Sequence, residues 1–258
     1  MLLVAVVPTH NEAGSIGQLA DALLQLRLPD IELRILVVDD ASSDGTAELV
    51  ESWARRAPGR VDLLRRPAKR GLGSAYIEGF AQALAGGADL IAQMDADLSH
   101  DPAALVAMAD AIRDADVVLA SRYIAGGGVD GEWGWHRKLV SRLANRLIVP
   151  TLLSCPMTDA TGGYRLWRRS AVARIAPSIS VRSNGYGFQV EMAYLAHQLA
   201  CRVKEVPIYF RERTTGQSKM SLREALGAVR DILAIRNRHA ASPRASRASG
   251  TAGKRKSR

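Results

Sequence analysis

Short apolar runs alternate with segments of helical periodicity along the first half of the chain. The apolar runs predict strands near residues 2–7, 33–38, 61–65, 88–94 and 116–120. The segments between them predict helices over residues 12–26, 44–57, 72–85 and 101–113. The first helix places four apolar residues on one face, namely Ile16, Leu19, Leu23 and Leu26. This alternation predicts an α/β fold in which helices flank a mostly parallel sheet.

The second half of the chain is less regular. Two tryptophans, Trp133 and Trp135, precede a predicted helix over residues 136–149 that is both apolar and basic. Such a helix is typical of a membrane interface, where indole rings and basic groups meet lipid headgroups. A core helix with its basic side in water fits the pattern equally well. The last predicted helix, about 221–238, leaves the same two interpretations open, with core packing as the default.

Polar residues follow three of the predicted strands. The first strand is followed by Pro8-Thr9-His10-Asn11-Glu12, the second ends in Asp39-Asp40, and the fourth ends in Asp95-Ala96-Asp97. The carboxyl ends of parallel strands form the edge of the sheet where ligands bind. Asn11, Ser43 and Asp44 are expected to act partly as helix N-caps. Capping does not account for the four aspartates together.

The two aspartates at 95 and 97 carry the clearest chemical signal. Two carboxylates at positions i and i+2, where a buried strand opens into a loop, can share one hard divalent cation that also holds nucleotide phosphates. A single Asp-x-Asp is more often a solvated turn. The polar groups at the neighbouring strand ends favour the metal interpretation here.

A glycine-containing segment, Arg70-Gly71-Leu72-Gly73, has some features of a dinucleotide-binding fingerprint. The position of the third glycine holds Tyr76, and the segment follows the third strand rather than the first. We therefore predict instead that the glycines allow the backbone to approach a ligand, while Arg70 faces a phosphate or a base.

The charge is unevenly distributed along the 258 residues. The chain carries a formal charge of +9, and six basic residues beyond position 240 contribute +6 of it, which leaves +3 for the rest. Residues 240–258 are rich in Ser, Ala, Gly and Arg, so we predict a disordered basic tail. Its charge suits RNA, an anionic membrane surface or simple solubility. The whole chain has 47% hydrophobic residues, which is a globular composition.

The two cysteines, Cys155 and Cys201, lie far apart, which favours a reducing compartment and argues against a structural zinc site. The amino terminus lacks the basic region of a signal peptide, and no run approaches the length of a spanning helix. We predict a cytoplasmic protein whose contact with a membrane is peripheral.

Several motifs occur in an order that resembles family 2 inverting glycosyltransferases with the GT-A fold. They are Pro8 to Glu12, Asp39 to Thr46, Asp95 to His100, Ser121-Arg122-Tyr123, Arg137-Lys138-Leu139-x-Ser141 and Arg213 to Lys219. Over about residues 1–235 the chain is similar to dolichol- or polyprenol-phosphate mannose synthases. The resemblance implies a Rossmann-like GT-A domain over residues 1–239, with a nucleotide-sugar half to about 122 and an acceptor half from 123 to 239.

The resemblance also implies roles for individual residues. Those expected to bind the nucleotide sugar are Pro8, His10, Glu12, Val37, Asp39, Asp40, Arg70, Asp95, Ala96, Asp97, Arg122, Arg213 and Lys219. Those expected to bind the acceptor phosphate are Arg122, Arg137 and Ser141. Asp95, Asp97 and Ser99 are the expected ligands of Mg²⁺ or Mn²⁺, although some relatives have Gln at the Ser99 position. The expected catalytic residues are Asp97, Arg122 and Lys219.

The implied reaction transfers mannose from GDP-mannose to a polyprenyl or dolichyl phosphate. A phosphate monoester, whose second pKa is about 6, is already anionic at neutral pH and needs no side-chain base to attack. The relatives often have membrane-embedded helices or a membrane partner subunit. The loop of Arg213 to Lys219 is expected to close over the diphosphate.

Three alternatives stay open at this point. The first is that the chain is a sibling enzyme that moves glucose or an N-acetylhexosamine onto the same lipid from a uridine donor, since the residues fix neither the base nor the sugar. Nucleotidyl transfer is disfavoured, because the first strand is not followed by the glycine-rich loop with Arg and Lys that such enzymes have. A non-catalytic adaptor that binds a membrane or RNA through the basic tail is a third possibility, although no nucleic-acid partner is expected.

Overall fold

The computed structural model describes residues 1–131, 134–179, 185–211 and 222–240. Its strands are β1 (Leu2–Thr9), β2 (Glu32–Asp39), β3 (Val61–Arg65), β4 (Leu90–Gln93), β5 (Val117–Ser121), β6 (Gly128–Val129), β7 (Arg165–Arg168), β8 (Val203–Pro207) and β9 (Tyr209–Phe210). Its α-helices are α1 (Ile16–Gln25), α2 (Thr46–Arg56), α3 (Leu72–Ala85), α4 (Ala104–Ala111), α5 (Trp135–Leu143), α6 (Val149–Leu153), α7 (Arg169–Ile175), α8 (Tyr186–Gln198) and α9 (Leu222–Ala240).

Seven strands form one sheet in the order β3-β2-β1-β4-β7-β5-β8. Strands β1 to β4 are parallel, and β8 is parallel to β5. Strand β7 runs antiparallel between β4 and β5. This arrangement confirms the predicted mostly parallel sheet and adds a reversal at its centre. A second, small sheet pairs β6 with β9.

The sheet is covered by apolar side chains on both faces, as the predicted helices require. Alternate residues of β1 point to opposite faces, so that Val6 packs with α3 and Val7 packs with α1. The contact with α3 is close, because a Cβ at Gly79 would lie 2.4 Å from a methyl group of Val6. A larger residue at position 79 would push the helix off the sheet.

The predicted boundaries agree for some elements and differ for others. Helix α3 and strand β3 match their predictions, whereas α1 begins at Ile16 rather than at residue 12. Residues 11–13 are loop, and their N–H groups donate to Ser42 Oγ, Thr46 Oγ1 and Asp44 Oδ2. The helix starts late because this loop binds the loop after β2.

The capping prediction needs correction for the same reason. Asn11 Oδ1 accepts the N–H of Ser43 across the two loops, so neither residue caps its own helix. Asp44 does act near a helix start, since it accepts the N–H and hydroxyl of Thr46. Burial alone would raise the pKa of Asp44, but these bonds and one from Ala13 outweigh it and lower that pKa.

The basic, apolar helix predicted over residues 136–149 is divided in the structure. Helix α5 passes into a π-helical segment, Ala144–Ile148, and then into α6. Within the described ranges, no helix combines the length and apolar character needed to cross a bilayer. The predicted tail covers residues 240–258; Ala240 is the last residue of α9, and the rest of the tail lies outside the described residues.

Candidate active site

A cavity of about 230 Å³ opens at the carboxyl edge of β1, β2 and β4. It is lined by Pro8, Thr9, His10, Glu12, Asp40, Lys69, Gly71, Leu72, Ala75, Asp95, Ala96 and Asp97. The polar ends of the three strands therefore meet at one cavity, as the sequence predicts. Lys69 is a lining residue that sequence reasoning missed.

The loop after β4 presents Asp95 and Asp97 to this cavity. The N–H of Ser99 donates to Asp97 Oδ1 at 3.0 Å, which fixes that carboxylate against its own turn. Leu98 in the turn has a left-handed φ of 61°, unusual for a branched residue. The backbone therefore holds a strained shape at this acidic turn, as is common at functional sites.

Tyr76 of α3 orients the first of the two aspartates. Its hydroxyl donates to Asp95 Oδ1 at 3.1 Å, and its ring stacks on Phe188 at a centroid distance of 5.6 Å. Burial, and then the nearby Asp95, raise the pKa of Tyr76 well above its ordinary value, so it stays a donor. The residue that excluded the dinucleotide fingerprint thus supports the acidic pair.

His100 supports the same loop from the other side. Its Nδ1 accepts the N–H of Asp95 at 3.3 Å, and its ring packs against Tyr164 and Phe210. Burial lowers the pKa of His100, which favours the neutral imidazole with its proton on Nε2. Asp95 is therefore held by two uncharged side chains, those of Tyr76 and His100.

The residues present fit a hard divalent cation. Two carboxylates face one cavity, and the described residues contain no cluster of three or more His, Cys, Asp or Glu. Oxygens of phosphate and water are further ligands that such a cation accepts. Ser99 Oγ is buried and, among the described residues, has no hydrogen-bond partner. Whether that hydroxyl is a ligand stays a prediction.

The aspartates at the end of β2 are already bound within the protein. Asp40 accepts bonds from Arg66 Nη1 at 2.8 Å and from the N–H groups of Arg70 and Gly71. Gly71 has a φ of 92°, which a residue with a side chain rarely adopts. Asp40 thus holds the loop after β3 at the cavity wall through Arg66 and the two N–H groups. Arg66 is a buried partner that the sequence did not indicate.

Asp39 has a similar internal role. Its carboxylate accepts the hydroxyl of Thr9 at 3.0 Å and both the N–H and hydroxyl of Ser42. Val37 belongs to the core below the cavity and does not line it. Contact of Asp39 and Asp40 with a nucleoside stays a prediction, while their observed bonds build the walls of the cavity.

The structure also places the remaining residues that were predicted to bind the nucleotide sugar. His10 lines the cavity and donates from Nδ1 to the carbonyl of Asp40 at 2.9 Å. Glu12 also lines it and accepts the Ser15 hydroxyl. Arg70 is half exposed, pairs with Glu78 at 2.5 Å and does not line the cavity, whereas its neighbour Lys69 does.

Arg122, at the end of β5, is held in a buried ion pair with Asp159. Its Nε and Nη2 donate to the two oxygens of Asp159 at 2.7 and 2.6 Å, and its N–H donates there too. Its guanidinium carbon lies 5.2 Å from the ring centre of Tyr123 and 5.5 Å from that of Phe210. Asp159, to which the sequence analysis assigns no role, fixes the arginine.

Ser141 lies on α5 and is hydrogen-bonded to the residue that follows Arg122 in the chain. The hydroxyl of Tyr123, the residue after Arg122, donates to Ser141 Oγ at 2.6 Å. The structure therefore links two of the three predicted phosphate-binding residues, Arg122 and Ser141, through Tyr123. The side chain of Arg137, and all of Arg213 and Lys219, lie outside the described part of the chain.

Comparison with known sequences points to one family. A sequence profile described as "Glycosyl transferase family 2" matches residues 4–176. An undecaprenyl-phosphate mannosyltransferase from Micrococcus luteus is 41% identical over 225 residues, which cover 86% of this chain and 88% of that protein. A polyprenol monophosphomannose synthase from Mycolicibacterium smegmatis is 39% identical over 234 residues, covering 88% and 84%.

Comparison with solved structures confirms the fold. Glucosyl-3-phosphoglycerate synthase from Mycobacterium tuberculosis, crystallised with Mn²⁺, UDP and glucosyl-3-phosphoglycerate, superposes with a TM-score of 0.62. The match covers 91% of this chain and 78% of that one at 17% identity. At such identity the likeness shows the shared GT-A fold alone.

Proposed function

The chain belongs to glycosyl transferase family 2, and from that premise we propose that it transfers mannose from GDP-mannose to a polyprenyl monophosphate of the dolichyl type, with inversion at the anomeric carbon. The observation that carries this proposal is the pair Asp95 and Asp97 at the cavity formed by the ends of β1, β2 and β4. That edge of an open α/β sheet is where nucleotides bind.

The mannose in this proposal is supported by sequence likeness. Two relatives at about 40% identity, over more than four fifths of this chain, have names that specify mannose and a polyprenol or undecaprenyl phosphate. The guanine base of the donor follows from the family resemblance. The geometry of the cavity supports a sugar nucleotide without distinguishing its base.

The proposed cofactor is Mg²⁺ or Mn²⁺, held by Asp95 and Asp97. When bound, such a cation neutralises the charge that develops on the leaving nucleoside diphosphate. Tyr76 and the backbone of Ser99 keep the two carboxylates in place. Lys69 lies at the same cavity, where its charge favours phosphate. Lys219 and Arg213 are proposed to close on the diphosphate.

The proposed acceptor needs positioning rather than deprotonation. A phosphate monoester is largely dianionic above its second pKa of about 6, so one of its oxygens can attack the sugar directly. Arg122, Arg137 and Ser141 are proposed to hold it. The pairing of Arg122 with Asp159 fixes the direction of the guanidinium before any acceptor arrives.

An exposed apolar stripe on α5 and the π-helical segment supports peripheral contact with a membrane. It consists of Trp135, Leu139, Leu143 and Leu147, which follow one another at intervals of four residues and are 76%, 49%, 44% and 58% exposed. Arg142 and Arg146 beside this stripe are also exposed. Apolar groups flanked by cations match the surface of an anionic bilayer.

We therefore propose that the protein works on the cytoplasmic face of a membrane, from which the lipid acceptor is presented. The helix that carries most of the stripe also carries Ser141, so one helix supplies residues both for the proposed membrane contact and for the proposed acceptor site. A membrane-embedded partner subunit, which the family resemblance implies, stays a prediction.

One assay tests the proposed function. The purified chain is incubated with labelled GDP-mannose, UDP-glucose or UDP-N-acetylglucosamine and a short-chain polyprenyl phosphate, and label is followed into organic solvent. We expect transfer from GDP-mannose that EDTA abolishes and that added Mg²⁺ or Mn²⁺ restores. Lipid-linked label from a uridine donor, with none from GDP-mannose, would show that the proposed donor is wrong. Absence of lipid-linked label from every donor would contradict the proposed function itself.

A further inference from the structure

A closed ring of polar contacts joins the end of β5 to α5. Its members are Arg122, Thr161, Asn145, Ser141 and Tyr123. Arg122 donates to Thr161 Oγ1 at 2.9 Å, and Asn145 Nδ2 donates to the same oxygen at 2.8 Å. Asn145 also donates to the carbonyl of Ser141, whose hydroxyl accepts that of Tyr123. The peptide bond between Arg122 and Tyr123 closes the polar ring.

Asn145 is the member that crosses between the two elements. It lies in the π-helical segment and is 1% exposed. Besides its two donated bonds, its Oδ1 accepts the N–H of Thr161 at 3.2 Å, so the amide orientation is fixed. Buried amides are stable only with such partners, and π-helical turns often occur at functional sites.

Thr161 couples the position of Asn145 to that of Arg122, because it is hydrogen-bonded to both. Its oxygen accepts from both Arg122 and Asn145, and its own hydroxyl proton points to Asp159 Oδ1 at 3.4 Å. A single oxygen thus touches both members of the ion pair and the amide on the helix. A shift of the helix would change the bond that sets Nη2 of Arg122.

The two ends of this path are the residues proposed to hold the acceptor phosphate. Arg122 is placed by the sheet, whereas Ser141 is placed by a helix that bears the exposed apolar stripe. Two elements that move independently would not keep a guanidinium and a hydroxyl at the spacing of one phosphate. The polar ring links them directly.

We propose that Asn145 and Thr161 are positioning residues that hold Arg122 and Ser141 at the spacing required by the acceptor phosphate. This inference rests on the proposed function. Neither residue touches the phosphate; each acts through Arg122 or the backbone of Ser141. Seating of α5 on the membrane then sets the geometry of the acceptor site through the same contacts.

The chain offers a matched set of substitutions. Thr161→Val removes the hydroxyl and keeps the shape, whereas Thr161→Ser keeps the hydroxyl. Asn145→Leu fills similar space without the amide. Thr151→Val makes the same chemical change at an exposed position of α6 outside the polar ring. Tyr123→Phe removes the hydrogen bond to Ser141 on the other side of the polar ring. It replaces the buried variants in the test if those fail to fold.

The readout is the KM of each substrate, measured separately with a short-chain polyprenyl phosphate and a nucleotide sugar. We expect Thr161→Val and Asn145→Leu to raise the acceptor KM about tenfold, because each breaks the chain of hydrogen bonds that connects Arg122 with α5. The KM of the nucleotide sugar should stay within about twofold, since the donor cavity is formed by other strands. Thr161→Ser, Thr151→Val and the unaltered chain should behave alike, and Tyr123→Phe should raise the acceptor KM less.

The double variant of Asn145→Leu and Thr161→Val sharpens the test. Both changes break the same link, so the acceptor KM should match that of the worse single variant rather than the product of the two. Equal rises in both KM values, failure of Thr161→Ser to preserve the acceptor KM, or multiplicative single effects would each overturn the inference. If the unaltered chain transfers no sugar to the lipid, the proposed function fails and this inference fails with it.

Discussion

The part of the sheet edge proposed to bind the sugar nucleotide, called the donor side, differs in construction from the part proposed to bind the lipid phosphate, called the acceptor side. On the donor side, Asp95 and Asp97 stand on the end of a strand and face a cavity of about 230 Å³. On the acceptor side, Arg122 is buried against Asp159, with side chains that are 5% and 0% exposed. The donor side presents its charges, whereas the acceptor side neutralises its charge before any ligand is present.

This difference shows what each side requires of the protein. A cation and a diphosphate bring their own charges, so the donor side has only to display carboxylates in fixed positions. A phosphate on a mobile lipid has to be met by a guanidinium whose direction is already set. The acceptor side therefore uses internal hydrogen bonds and the surface of a helix. Four substitutions separate the two designs.

The largest effect is expected on the donor side, from Asp97→Ala. Removal of one carboxylate from the proposed cation site should lower the transfer rate by about 10³-fold, or roughly 4 kcal/mol of barrier, with no loss of fold. The rate of label transfer to lipid and the thermal unfolding midpoint measure the two effects. Binding of Mn²⁺ followed by electron paramagnetic resonance, in the presence of GDP, should weaken as well.

Asp62→Ala is the control for this substitution, because Asp62 is an exposed aspartate on β3 away from the cavity. It should transfer sugar at the normal rate. Normal transfer by Asp97→Ala at ordinary metal concentration would remove the assigned role and, with it, the contrast between the two sides.

On the acceptor side the comparable change is Asp159→Ala, whose first effect should be on stability. It leaves the buried guanidinium of Arg122 without its carboxylate, and breaking a buried pair in this way costs about 3 kcal/mol or more. Chemical denaturation measures the free energy of unfolding. The double variant Arg122→Met with Asp159→Leu removes both charges and should recover much of the loss, although not the activity.

A fall in unfolding free energy below about 1 kcal/mol for Asp159→Ala would mean that Arg122 reaches water or another partner. In that case the acceptor side would resemble the donor side, with a charge that is displayed rather than neutralised.

The donor side could be predicted from the sequence because its chemistry follows strand order. Apolar runs locate the strands, and parallel strands bring their carboxyl ends to one edge, so Asp95, Asp97, His10 and Glu12 were expected at one site. The helix α3 was predicted with its correct limits for the same reason. Periodicity and position carried this information together.

The acceptor side could not be predicted in the same way, because its contacts join residues distant in sequence. Asp159 lies 37 residues from Arg122 and inside an ordinary-looking turn. The pattern after this turn suggests a short strand, but it does not indicate that the strand, β7, runs antiparallel between β4 and β5. The internal bonds of Asp40 with Arg66 were missed on the donor side for a similar reason. Pairing between loops depends on tertiary structure.

A smaller effect tests whether the donor side has internal charges of its own. Asp40→Asn keeps the shape but removes the charge that faces Arg66 and two N–H donors. We expect the free energy of unfolding to fall by about 2 kcal/mol and the nucleotide-sugar KM to rise, because Lys69 and Gly71 form part of the cavity wall. Arg66→Lys, which keeps the charge, should lose less stability. A rise confined to the acceptor KM would contradict this placement.

The smallest effect is expected on the outer surface of the acceptor side. Leu139 is 49% exposed on α5 and Leu49 is 40% exposed on α2, so Leu139→Gln and Leu49→Gln change similar exposed surface on the two sides. Loss of one partly inserted leucine should weaken binding to anionic vesicles by about 1 kcal/mol, roughly fivefold, whereas the change at Leu49 should not affect it. Vesicle sedimentation measures the binding, and turnover of a short-chain acceptor in solution should stay normal for both. Equal losses of vesicle binding would place the membrane contact elsewhere, and the exposed apolar stripe would then have no part in the contrast between the two sides.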